Sequence, residues 1–159
     1  MNKLIVRLPI ILIGLSLLLF SGCILTEIDP PEKWAVVKFL NSSGEDVIIK
    51  MINHPISNNG SDIIINIDSM NEEGSNDYVF GEKNAIDSYF SILGNDDKTR
   101  IELYVGNSLV KEWNGPSGNF GNSINSPFNY DSWSFKPIES TGNNVVGKII
   151  FTITNEDIE

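Results

Sequence analysis

The 159 residues carry 11 Lys and Arg against 21 Asp and Glu, a formal net charge of -10, with one His and one Cys. So acidic a chain repels polyanions, which disfavours nucleic acid and direct docking on anionic lipid headgroups. A lone cysteine excludes an internal disulfide, and one His with one Cys is too small a donor set for zinc, so no metal and no other cofactor is expected.

The chain opens with Lys3 and Arg7, continues as an apolar run from Leu8 to Phe20, and closes that run at Ser21-Gly22-Cys23. This is the layout of a secretory signal, and about a dozen apolar residues are too few for a bilayer that needs about 20. Leu19-Phe20-Ser21-Gly22-Cys23 resembles a lipobox, the signature of bacterial lipoproteins, with Phe20 where Leu is usual. The resemblance implies cleavage before Cys23, loss of residues 1–22 and acylation of the Cys23 thiol. Removing Lys3 and Arg7 lowers the basic count from 11 to 9 and the net charge from -10 to -12. Each buried methylene contributes about 0.8 kcal/mol and stable attachment takes two acyl chains, so a triacylated cysteine is a firm membrane anchor. Ile24, not Asp, follows the cysteine, which by resemblance to the sorting rule of enteric bacteria implies the outer membrane and leaves its periplasmic and surface faces both open.

Residues 23–33 include Asp29-Pro30-Pro31-Glu32, which cannot pair in a sheet and reads as a lipidated tether, so residues 34–159 form the folded domain. Apolar residues then recur at period two. Trp34 to Leu40 is rich in Val and aromatics, Val47, Ile49 and Met51 alternate with Ile48 and Lys50, and Ile63, Ile65 and Ile67 follow the same rule. Turn residues separate these runs at Asn41-Ser42-Ser43-Gly44 and Ser57-Asn58-Asn59-Gly60-Ser61. Ala85 to Leu93 satisfies two templates, a helical stripe of Ile86, Tyr89, Phe90 and Leu93 after an Asn84 cap, or a strand with Ile86, Ser88, Phe90 and Ile92 on one face. The surrounding pattern favours the strand.

Ile101, Leu103 and Val105 alternate up to Gly106-Asn107, and Ser108 to Trp113 returns, which predicts a hairpin with a primed turn. From Trp113 to Trp133 the chain is dominated by Gly, Asn, Ser and Pro, a stretch too long for a plain connection. Gly147 to Thr154 alternates again and is rich in β-branched residues. Short strands at regular spacing without a strong helix predict an all-β fold, an immunoglobulin-like antiparallel β-sandwich of about seven strands.

Together with the lipobox, three segments carry a wider likeness: Phe39 to Gly44, Ser126-Pro127-Phe128-Asn129-Tyr130-Asp131-Ser132-Trp133, and the ending Phe151 to Ile158. The chain resembles small uncharacterised outer-membrane lipoproteins of Bacteroidetes-type bacteria, which close on a Thr-Ile-Thr-x-Glu-Asp-aromatic end where this chain has Ile158. The resemblance implies a β-rich envelope protein and transfers no catalytic residue. Pro127 and the turn-forming Asn129 and Asp131 let Phe128, Tyr130 and Trp133 fold back on the sandwich as a plug, or stand out as an aromatic platform.

Catalytic chemistry has little to build on. The acylated Cys23 is no nucleophile, and His54, in Asn53-His54-Pro55, reads as a surface turn residue with no serine elbow near it. Gly94-Asn95-Asp96-Asp97 and Asn129-Tyr130-Asp131 lack the spacing of a known calcium loop. A non-catalytic module that binds a glycan or another envelope protein is therefore expected, with Trp113, Tyr130 and Trp133 as candidate ligand-binding residues and no catalytic ones. Trp34 and Tyr104 offer further flat faces for sugar rings. The competing reading is a small hydrolase that uses acidic residues, with Asp131 as its candidate.

Overall fold

The structure, a computed structural model, describes residues 32–56, 61–74, 77–94, 98–121, 123–139 and 143–159, all within the unit Glu32–Glu159. The expected signal, Cys23 and most of the expected tether lie outside the described residues, as do residues 57–60 of the second turn and residues 95–97. No helix among the described residues is long and apolar enough to cross a membrane.

Strict alternation in β1 (Trp34–Asn41) turns Ala35, Val37, Phe39 and Asn41 inward and Trp34, Val36, Lys38 and Leu40 outward. Its partner on one side is β9 (Val145–Ile153), which runs parallel to it with Val37 opposite Ile149 and Phe39 opposite Phe151. β8 (Trp133–Pro137) extends the sheet beyond β9. On the other side of β1 lie two short strands, β4 (Glu72–Glu73) opposite Phe39 and Leu40, and β5 (Tyr78–Phe80) opposite Trp34 to Val36. The second sheet is antiparallel throughout, in the order β3 (Ile63–Ile67), β2 (Val47–Ile52), β6 (Arg100–Val105), β7 (Ser108–Asn114). This is the all-β sandwich that the alternation predicts. It has nine strands among the described residues where about seven are expected, and one pair, β1 with β9, is parallel.

The core between the sheets holds Val37, Phe39, Ile149, Phe151 and Ile153 from one side and Val47, Ile49, Met51, Ile101 and Leu103 from the other. Each such side chain contributes about 1.5–3 kcal/mol when fully buried. The expected hairpin joins β6 to β7, with Gly106 at φ 58°, the left-handed region that a glycine-first primed turn requires. The first turn is organised by the buried Asn41, whose Oδ1 accepts from Ser43 N at 3.0 Å and Oγ at 2.7 Å, while its Nδ2 donates to the Glu45 carbonyl at 2.8 Å.

One element differs from expectation. Ala85–Leu93 is a helix, α1, and not the strand that its surroundings favour. Its buried residues are Ala85, Tyr89 and Leu93, at helical spacing, so the apolar stripe faces the core, whereas a strand would have put Ser88 on the face of Phe90. Asn84 stands at the N-cap as expected, but its side chain makes no capping bond. The helix packs against β5 and β8, and there Tyr89 meets Trp133 with ring centroids 4.8 Å apart.

The Gly- and Asn-rich stretch after β7 is a plug. Phe128 and Trp133 are buried in it, and a single turn of 3-10 helix, Tyr130–Ser132, leads into β8. Both indoles hold it down: Trp113 Nε1 donates to the Asn125 carbonyl at 3.0 Å and Trp133 Nε1 to the Pro127 carbonyl at 2.9 Å. Buried Trp needs such partners, and here the loop backbone supplies them.

Candidate functional site

Aromatic side chains in this domain divide into two sets. The first forms a file through the core: Trp113 meets Phe151 at 5.7 Å, Phe151 meets Trp133 at 5.7 Å, and Trp133 meets Tyr89. Trp113 and Trp133, expected as candidate ligand-binding residues, both belong to it and turn no open ring face to solvent. Tyr130, the third, is half-buried, with its ring 5.4 Å from Phe90 and its hydroxyl near the Asp87 carboxylate. Burial first, and then the negative charge of Asp87, raise its pKa. The structure thus sets Trp133 against Tyr89 in the core and Tyr130 against the partly exposed Phe90, not side by side on one open surface, and Trp113 lies in β7 of the second sheet.

The second set is exposed. In β5 the alternation buries the aliphatic Val79 and turns its aromatic neighbours Tyr78 and Phe80 out, 52% and 50% exposed. Phe80 is the cross-strand partner of Trp34, so the two side chains share the outer face, and their rings meet edge to face at 5.8 Å and 86°. Gly81 follows at φ 112°, its N–H donating to the Lys33 carbonyl at 2.8 Å, and a Cβ there would run into the side chain of Asn84. Only glycine can make this corner, which sends the chain from β5 straight into α1.

The corner creates a cleft of about 450 Å³ between Trp34, Tyr78 and Phe80 on the strand side and Asp87, Ser88, Ser91 and Ile92 on the helix side. Two neighbours continue it. One, of about 380 Å³, shares Trp34 and Tyr78 and adds Asn143 and Val145. The other, of about 440 Å³, shares Asp87 and is closed by Phe90, Ser117, Gly118, Asn119 and Tyr130. Asp131, the candidate acid of a hydrolase, is exposed and lines none of these three. Among the described residues their linings hold one carboxylate, Asp87, and no lysine or arginine. Among the described residues no group of three or more His, Cys, Asp or Glu is placed to hold a metal ion. What this surface can do is stack against flat apolar groups and exchange hydrogen bonds.

His54 is not the surface turn residue expected. Asn53 adopts φ 53°, a left-handed conformation that Asn tolerates, and this turns His54 into the interior beside Tyr89. Burial lowers its pKa to about 4, so at neutral pH the imidazole is uncharged. Tyr104 lies in β6 of the other sheet, with its hydroxyl donating to Glu102 Oε2 at 2.6 Å.

Of the cleft, the sequence reading named Trp34 and missed Tyr78 and Phe80. Their signal was Tyr78-Val79-Phe80, aromatic residues flanking one aliphatic, a run too short for any periodic template. No protein-family model, curated protein or solved structure matches this chain, so its own residues carry the functional reading.

Proposed function

We propose that this protein is a lipid-anchored envelope protein, held at the outer membrane through Cys23, whose sandwich is a non-catalytic binding module. The anchor rests on the lipobox-like Leu19 to Cys23. The observation that carries the binding role is the pair of half-exposed aromatics, Tyr78 and Phe80, beside Trp34 in a concave cleft. Exposed apolar surface is expensive to keep without use, and a cleft of several hundred Å³ with a few polar groups at its rim is the usual form of a ligand site. Binding is favoured over glycoside hydrolysis because cleavage needs two carboxylates about 5–10 Å apart, and among the described residues the cleft linings supply Asp87 alone.

The test is photo-crosslinking in intact cells. The full chain carries a photoreactive benzoylphenylalanine at position 78 or, as a control, at position 104, and is labelled in parallel with a palmitate analogue. The expected result is a label that disappears in Cys23→Ala, and a crosslinked adduct from position 78 that position 104 does not give. An unlabelled wild type sinks the anchor, and the absence of any adduct from position 78 sinks the binding role.

A further inference from the structure

We infer that the ligand of this cleft is a neutral glycan chain, a conclusion that rests on the binding role proposed above. A pyranose ring is amphipathic, with a face of C–H groups and a rim of hydroxyls. The cleft matches both halves. Tyr78 and Phe80 present half-exposed ring surface next to Trp34, and an aromatic face, negative at its centre, attracts the weakly positive C–H groups that stack on it. Across the gap, one turn of α1 places Ser88 and Ser91 on the same side as Asp87, two hydroxyls that donate or accept and a carboxylate that accepts from sugar hydroxyls.

Charge narrows the class. The net charge is -10, or -12 once residues 1–22 are removed, and no basic side chain among the described residues lines the three clefts, so uronic, sulfated or phosphorylated sugars would meet repulsion without a counter-charge. A quaternary amine, the other ligand that aromatic rings favour, needs rings that close around it. Here the rings lie along an open sheet face. Shape fixes the length. A protein partner requires a broad patch of about 800 Å² on each side, whereas this surface is divided into three open clefts of about 380 to 450 Å³ in series. Trp34 and Tyr78 join the first to the second and Asp87 joins the second to the third, so the surface suits a run of several sugar units better than a single one.

The experiment is native affinity electrophoresis of the full acylated chain in detergent micelles. The gels contain dextran, mannan, hydroxyethylcellulose, a β-1,3-glucan or polygalacturonate. At least one neutral polymer is expected to retard the wild type while polygalacturonate does not. Tyr78→Ala and Phe80→Ala should each weaken retardation by roughly tenfold, and Tyr104→Ala should leave it unchanged, with near-ultraviolet circular dichroism confirming that every variant is folded. Failure of all neutral polymers, equal retardation by polygalacturonate, displacement by choline, or retention unaffected by Tyr78→Ala overturns the assignment. An adduct at position 78 without any retardation would overturn the glycan alone and leave the binding role standing, whereas the loss of both removes both.

Discussion

The imidazole of His54 stacks on the ring of Tyr89, centroids 6.1 Å apart at an interplanar angle of 28°, with Nε2 3.3 Å from the phenol oxygen. The Ile56 N–H donates to Nδ1 at 3.4 Å, which assigns the hydrogen of the neutral ring to Nε2 and makes Tyr89 its acceptor. Tyr89 is wholly buried and held protonated far above its usual pKa, first by burial and then by Asp77. The pair therefore joins the end of β2 to α1 in a form that tolerates no charge.

That arrangement sets a pH limit. The His54 pKa falls from 6.5 in the unfolded chain to about 4 in the folded one. Above pH 6.5 both states are neutral and the histidine contributes no pH dependence. As pH falls through the window from 6.5 to 4, the unfolded chain takes up a proton that the folded one refuses, and stability is lost, by about 3 kcal/mol once pH 4 is reached. Between pH 7 and pH 4 the unfolding free energy from urea titration should fall further for the wild type than for His54→Gln by that amount. Equal falls in the two proteins would refute it.

Lys111 Nζ donates to Asp157 Oδ1 at 2.7 Å, and the same carboxylate receives Asn125 Nδ2 at 2.7 Å, Thr154 N at 2.9 Å and Thr154 Oγ1 at 3.1 Å. Asp157 thus ties β7, the plug and the last turn of the chain together from a side chain that is 1% exposed. Its removal strands several donors, while removal of the partly solvated Lys111 leaves the other donors in place. Asp157→Ala is expected to lower stability by about 3–5 kcal/mol and Lys111→Ala by about 1 kcal/mol, read from urea denaturation. Comparable losses would show that the ion pair, and not the hydrogen-bond hub, dominates.

The plug depends on Asn129 in the same way. Fully buried, it accepts Phe120 N at 2.9 Å and donates to the carbonyls of Gly121 at 2.8 Å and Ile124 at 2.7 Å. Asn129→Ala should cost about 2–4 kcal/mol, and hydrogen exchange should quicken across residues 118–126 before the sheets are affected. Unchanged protection there would mean that the indole bonds of Trp113 and Trp133 suffice.

Period-two alternation made β1, β2, β3, β6 and β9 legible in the sequence because each turns one face to the core, and the Gly106-Asn107 turn announced the hairpin that adds the mostly exposed β7. The helix was not legible, since Ala85 to Leu93 fits both periods and only the tertiary position of Tyr89 decides between them. The cleft was half legible. Trp34 draws notice as a tryptophan, but the outward turn of Tyr78 and Phe80 follows from pairing with β1, a contact more than 40 residues away in sequence. His54 was misjudged for a related reason: a left-handed Asn53 reverses the direction in which the next side chain points, and no composition rule records that.

Gly147 lies in the interior of β9, where alanine ordinarily stabilises a chain by about 0.5–1 kcal/mol through the unfolded state. Here the opposite sign is expected. Gly147 pairs with Pro137 across the sheet, and a Cβ would strike the ring of Phe135 and approach the Lys136 carbonyl to 3.0 Å. The Phe135 ring occupies the room that the missing side chain leaves, so a strand glycine marks a close approach and not a weak point. Gly147→Ala should then destabilise by about 1–3 kcal/mol, the usual penalty of overpacking. If the ring is the cause, the penalty must shrink when Phe135 is also shortened, so the double variant with Phe135→Leu should lose less than the two single losses added together. Strict additivity would place the strain at the Lys136 carbonyl instead, because a backbone atom cannot move aside as a ring can.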